Sequence, residues 1–180
     1  MSFGFTEDQS PIREAIMEAQ ALKKGQILFF AAAANVGANE QEMYPARDDN
    51  VFAIRATDHE GNWWPSNPPV DVHLSWSFMT LGKSVPVVTR DEHAAGISYA
   101  TAIASGIAAM VLADARRLLH SSTSMSDLDL LNKLSRKDGM GAIFRRISLN
   151  TTHYRCSYLS PRLFVGKGEE ERVSIIRYVV

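Results

Sequence analysis

Six consecutive apolar residues, Ile27-Leu28-Phe29-Phe30-Ala31-Ala32, run without a polar interruption through this chain of 180 residues. A strand with one wet face alternates apolar and polar side chains, whereas a strand covered on both faces reads as an unbroken apolar run. The segment therefore predicts a central strand of a parallel sheet, and a parallel sheet needs helices on its faces. The flanking segments agree. Ser10-Pro11 marks a helix start, with Ser10 as N-cap, proline at the first helical position and Glu14 in the first turn. Ile12, Ile16, Ala19 and Leu22 share one helical face, and Gly25 closes the helix. Val51-Phe52-Ala53-Ile54-Arg55-Ala56 predicts a second strand, and Val85-Pro86-Val87-Val88 a shorter one whose proline suits an edge. Ser98 to Leu119 reads as a long helix with Ile107, Met110, Val111 and Leu118 on its apolar face. Leu128 to Leu134 reads as a short helix, and Val173 to Val179 as a closing strand. The expected fold class is α/β, a three-layer α/β/α arrangement around a mostly parallel sheet.

Composition narrows the partners. A formal net charge of -1 without a block of like charges gives no electrostatic footprint for nucleic acid or an anionic membrane. The longest uninterrupted apolar run, Ile27 to Ala34, is far short of a bilayer, and no basic-then-apolar leader opens the chain. A single cysteine, Cys156, permits no internal disulfide, which fits an intracellular, cytoplasmic setting. No cofactor or metal motif is present: Gly139-Met140-Gly141 and Gly166-Lys167-Gly168 read as glycine turns, and Asp48-Asp49 and Glu169-Glu170-Glu171 as solvated carboxylates. Lys133 to Arg146 reads as a solvated basic face. Trp63 and Trp64 lie in a proline-rich loop from Asp58 to Pro69, where loop packing is the expected role.

Two polar residues stand where α/β chemistry gathers. Ser98 follows Gly96 at the start of the long helix, where unpaired backbone N–H groups favour developing negative charge. It can be an N-cap or a nucleophile. Asn35 directly follows the Ile27–Ala34 run, at the carboxyl end of the predicted sheet, where its amide can donate to an oxyanion or form a turn with Gly37.

The motifs around these residues resemble those of the subtilisin-like serine peptidases, the subtilases. Gly96-Ile97-Ser98-Tyr99-Ala100-Thr101-Ala102 resembles the Gly-Thr-Ser-x-Ala-x-Pro signature around the nucleophile. Ala32-Ala33-Ala34-Asn35-Val36-Gly37 is similar to the segment carrying the oxyanion asparagine. Tyr44-Pro45-Ala46 with Val51-Phe52-Ala53-Ile54 is similar to a Tyr-Pro-Ala turn and its next strand. Ser77-Phe78-Met79-Thr80-Leu81-Gly82 resembles the element before the nucleophile, and Ser2-Phe3-Gly4 the strand end lining the primary specificity pocket. The resemblance runs from Ser2 to about Leu112. It departs at Ile97, where the family usually has threonine, at Ala34, where glycine is frequent, and at Ala102, where proline is typical.

The resemblance implies a serine endopeptidase acting on peptide or protein substrates through an acyl-enzyme at Ser98. It implies Asn35 in the oxyanion hole and Ser2, Phe3, Gly4, Ala33 and Ala34 as substrate-binding residues. The family's triad order is Asp, His, Ser, and none of the five histidines (His59, His73, His93, His120, His153) has the family's His-Gly-Thr context. The chain is therefore expected to be a fragment without the triad Asp and His and without the N-terminal strands of the sheet. Residues 1–120 would form a catalytic half-domain and residues 121–180 a helical and mixed extension packed on it. The missing half, or further domains of a larger protein, join substrate as expected partners. Two alternatives remain: a catalytically dead peptidase-like binding or regulatory module, and an α/β-hydrolase-type esterase using Asp127 or Asp129 and His153.

Overall fold

The computed structural model describes residues 1–34, 37, 41–70, 77–87, 92–119, 125–150 and 156–179. Its main sheet has the order β1-β2-β3-β7-β6, with β1 Phe29–Ala32, β2 Val51–Thr57, β3 Ser77–Leu81, β6 Ser148–Asn150 and β7 Ser157–Leu159. β1, β2, β3 and β7 run parallel; only β6 turns back, antiparallel to β7. β2 is buried along its whole length, as the apolar pattern predicts for a strand covered on both faces.

Pleating sends alternate side chains to two cores. Phe30, Ala32, Phe52, Ile54, Ala56 and Phe78 face α2, Ile97–Leu119, which buries Ile97, Ala100, Ala104, Ile107, Ala108, Val111, Ala115 and Leu119 against them. Ala31, Val51 and Ala53 face the opposite way, where Ile16 of α1, Ser10–Leu22, covers them. Helices thus lie on both sides of a mostly parallel sheet. The α2-side core extends through α3 (Met125–Leu134), α4 (Lys137–Arg146), α5 (Arg162–Val165) and α6 (Glu169–Arg177). Phe144 of α4 closes it, its ring tilted against Phe30 and Phe52 and edge-on to Phe78 with centroids 5.2–6.1 Å apart, contacts worth roughly 0.5–1.5 kcal/mol each beyond their buried area.

Several local expectations change. The Val173–Val179 segment is not a strand but lies in α6 and the turn after it. Glu169, Glu170 and Glu171 complement that helix's N-terminus, Lys167 pairs with Glu171 at 3.0 Å, and Arg172 reaches Asp114 of α2 at 3.0 Å. Val85–Val87 forms β4 in a separate hairpin with β5, Glu92–Ala94, so Pro86 sits in a two-stranded ribbon rather than at the edge of the main sheet. Ser77–Leu81 supplies the third parallel strand instead. Gly139-Met140-Gly141 is helical: the Lys133 carbonyl abuts Gly139 so closely that no side chain fits, and α4 packs onto the end of α3. The supposed basic face from Lys133 to Arg146 therefore buries Met140, Ile143 and Phe144. The first helix begins after Gln9 and ends at Leu22, which is 73% exposed rather than buried. By length and composition α2 is long and apolar enough to cross a membrane, although polar residues interrupt its sequence; here it packs along β1, β2 and β3.

Candidate active site

Ser98 lies in the first turn of α2, and the chain entering that turn is fixed to the sheet. The Gly96 N–H donates to the Gly82 carbonyl at 2.8 Å, and the Gly82 N–H donates to the Thr57 carbonyl at 2.9 Å, joining the turn to the ends of β3 and β2. Gly82 is the point of closest approach. A Cβ there would sit 2.6 Å from Ala56 Cβ, 3.0 Å from the Gly96 oxygen and 3.1 Å from Ala100 Cβ. Small residues at 56, 82 and 100 therefore let the helix start lie directly on the carboxyl ends of parallel strands.

Ile97 is fully buried in the α2-side core. Its side chain points into the protein, so the departure from threonine at this position is a packing substitution. Thr101 adds a hydroxyl bond to the Ile97 carbonyl at 2.9 Å, securing the first turn. No acidic residue occupies that turn. Tyr99, beside the serine, is 43% exposed. The Ser98 hydroxyl makes no hydrogen bond among the described residues. His59 lies in the exposed turn after β2 and His93 is exposed on β5; His73, His120 and His153 fall outside the described residues.

A second strip of backbone runs past the end of β1. Met1 makes a parallel rung on its outer edge: its amine donates to the Phe30 carbonyl, and its carbonyl accepts from the Ala32 N–H at 3.0 Å. Burial of that amine lowers its pKa from the ordinary value. Phe5 pairs with Tyr44 in an antiparallel bridge, so Ser2, Phe3 and Gly4 stretch, exposed, between two anchored points. Ala33 and Ala34 follow β1 directly and are buried, with the Ala33 N–H bonded to the Ile54 carbonyl at 2.9 Å. An open cavity of about 360 Å³ joins the strip to α2, lined by Met1, Ser2, Leu28, Phe29, Phe30, Thr101, Ala102 and Ser105. Five of the seven residues expected to bind substrate or react thus lie along one strip at the carboxyl end of β1, and Ser98 opens the helix across from it. Asn35 lies outside the described residues.

Met43 also shapes this region, its N–H donating to the Ala33 carbonyl at 2.9 Å, and carries no motif; Gly82 and Thr101 stand in the motifs described above, which do not reveal the contacts they make. Beneath β2 lies a buried polar cluster. Arg55 is fully buried, pairs with Glu42 at 2.5 Å, donates to Ser77 and donates to the carbonyls of Pro68 at 3.2 Å and Pro69 at 2.8 Å. Cys156 sits 3.6 Å from the Ser77 hydroxyl, and burial pushes its thiol pKa up, away from the thiolate a nucleophile requires. Among the described residues no group of three or more metal-binding side chains converges.

A mostly parallel sheet, a long helix clamped to its carboxyl edge and a serine in that helix's first turn define a subtilisin-like α/β protein. The subtilase family model matches residues 1–151, and the chain belongs to that family. No curated protein matches it significantly. Among solved structures, a mutant of the protease domain of PatA superposes with a TM-score of 0.69 at 19% identity, covering 99% of this chain and 58% of that one. Prenylagaramide maturation protease PagA gives 0.63 at 19% identity, over 99% and 58%. Patellamide maturation protease PatA gives 0.63 at 15% identity, over 98% and 60%. These likenesses carry the fold. The chain spans about three fifths of the length of these structures.

Proposed function

We propose that this chain carries the nucleophile side of a serine endopeptidase centre. Ser98 Oγ attacks the carbonyl carbon of a peptide bond while a general base takes its proton. The Asn35 side-chain amide and the Ser98 N–H donate to the oxyanion that forms. Collapse of the tetrahedral species breaks the C–N bond, and the base returns its proton to the departing amine. Water then cleaves the acyl-enzyme by the same route in reverse. Ser2, Phe3 and Gly4 hold the substrate extended, with Ala33 and Ala34 along its pocket. The observation carrying this reading is the clamp of Gly96 onto Gly82, which ties the first turn of α2, with Ser98 in it, to the carboxyl edge of the sheet.

The base and its aspartate are proposed to come from polypeptide outside the described residues. Two open surfaces suit such an arrival. The peptide groups on the outer edge of β1 face away from β2, and Met1 already pairs there in parallel. The adjoining face of α2 exposes Ala102, Ser105, Gly106 and Ala109, with open space beyond Gly106. A dead, substrate-binding relative is the second reading, favoured by the absence of a base bonded to Ser98 among the described residues. Kinetics on protein purified from its native source separate the two. Asn35→Ala is expected to lower kcat about 100-fold or more with KM little changed. An unchanged kcat removes Asn35 from the mechanism, and an absence of any Ser98-dependent hydrolysis favours the binding module.

A further inference from the structure

We infer that Arg47 is a positioning residue of the proposed substrate cleft, its guanidinium fastening the chain just beyond Ser2-Phe3-Gly4 and so keeping that strip extended for a substrate strand. The inference rests on the reading of Ser2, Phe3 and Gly4 as the strip that holds substrate. The downstream end of the strip is secured by one antiparallel rung, in which Phe5 and Tyr44 exchange both backbone hydrogen bonds, at 2.8 and 2.9 Å. One rung is a weak hold, since even a whole two-stranded ribbon is marginal in water. A continued ladder would next place Glu7 opposite Glu42. The ladder stops instead, and Arg47 spans the two chains there. Its Nη2 donates to the Thr6 carbonyl at 2.9 Å, and its Nη1 donates to the Glu42 carbonyl at 3.4 Å.

The same guanidinium also holds Asp8, with Nη2 at 2.6 Å and Nε at 2.9 Å from one carboxylate oxygen, while Arg13 of α1 donates to the other. The bond from Arg47 is the largest influence holding the Asp8 carboxyl below its usual pKa. An exposed ion pair alone contributes little. What sets Arg47 apart is the planar fork, which reaches a carboxylate and the carbonyls of two chain segments at once, as a lysine ammonium cannot. The two sides it joins differ in freedom. Tyr44, Pro45 and Ala46 are buried, and Glu42 is pinned by buried Arg55, so the base from which Arg47 extends is fixed. Residues 2–8 are exposed, so the fastening acts on the strip. A substrate strand pairs best with backbone groups already aligned, and a loosened strip must be ordered on binding. Arg47 therefore acts on affinity for the extended substrate rather than on the chemical step.

The test is NMR on the chain and on Arg47→Ala and Arg47→Lys, combining amide hydrogen exchange with titration by a blocked tetra-alanine amide. The Phe5 and Tyr44 amides report the rung, and the Gly4 and Ser98 amides report peptide binding. Arg47→Ala is expected to speed exchange at Phe5 and Tyr44 about ten-fold and to weaken peptide binding about ten-fold, the size of a lost charge-assisted bond. The Met43 amide, bonded to the Ala33 carbonyl, serves as control and should exchange at the parent rate, which a general loss of stability would not allow. Arg47→Lys keeps the charge without the fork and is expected to behave as Arg47→Ala does; either variant alone suffices if the other fails to fold. Parent exchange and affinity in both variants, full recovery by lysine, or faster exchange shared by Met43 would each overturn the role of Arg47 while leaving the strip in place. If the peptide shifts the Gly4 and Ser98 amides in none of the three proteins, the reading of the strip itself fails and the inference with it.

Discussion

Gly82→Ala is the sharpest probe of how the serine is positioned. The added methyl would stand 2.6 Å from Ala56 Cβ, 3.1 Å from Ala100 Cβ and 3.0 Å from the Gly96 oxygen. Ordinary carbon contacts lie near 3.5–4.0 Å, so the helix start must lift about 1 Å from the sheet. Overpacking of this kind costs about 1–3 kcal/mol. Lifting also stretches the 2.8 Å bond between the Gly96 N–H and the Gly82 carbonyl, a net contribution of about 0.5–1.5 kcal/mol. A loss near 3 kcal/mol lowers the melting temperature of a domain this size by about 6–12 °C. Gly106→Ala is the matched control on the same helix. A Cβ at Gly106 meets nothing within 4 Å, and alanine is about 1 kcal/mol the better helix former, so that variant should melt about 2–4 °C higher. Thermal unfolding followed by circular dichroism reads both signs. A Gly82→Ala melting temperature within 1–2 °C of the parent, near the size of a surface substitution, refutes the clamp.

Three further outcomes follow from the packing. Ile97→Thr, which installs the residue usual in the family, should cost about 1–3 kcal/mol in urea unfolding, because it exchanges a fully buried apolar group for a hydroxyl in an apolar core. Arg55→Met should cost about 3–5 kcal/mol by taking the guanidinium from buried Glu42, and adding Glu42→Gln should restore much of it, read from urea midpoints. Cys156 should resist iodoacetamide at pH 8 in the native state and react fully in denaturant, because burial both shields the sulfur and raises its pKa, leaving little thiolate at that pH; mass spectrometry of the quenched reaction checks it.

The parts of this fold that announce themselves in the sequence are those whose burial is uniform. β1 is apolar throughout, and β2 is so apart from Arg55 and Thr57, because both faces are covered, while α2 keeps one apolar stripe over six turns. The parts that mislead are decided by distant contacts. Val173, Ile175 and Ile176 favour a strand locally, yet three glutamates at the helix start and the pairing of Arg172 with Asp114 favour a helix docked on α2. Ser77-Phe78-Met79-Thr80 mixes polar and apolar residues because β3 borders the Arg55 cluster on one face and the aromatic core on the other. The motifs around Ser98 were legible through resemblance, and the clamp beneath them was not: Gly82 matters through Ala56 and Ala100, residues 26 and 18 positions away. Met43 likewise carries no motif. Its place follows only once Phe5 and Tyr44 are seen paired.

Ser98 is the nucleophile of the proposed centre. Protein purified from its native source, treated with a fluorophosphonate and mapped by peptide mass spectrometry, is expected to carry one adduct, on Ser98, with hydrolysis of a fluorogenic peptide lost in step. Full loss of hydrolysis with Ser98 unmodified, or hydrolysis that survives Ser98→Ala, would contradict it.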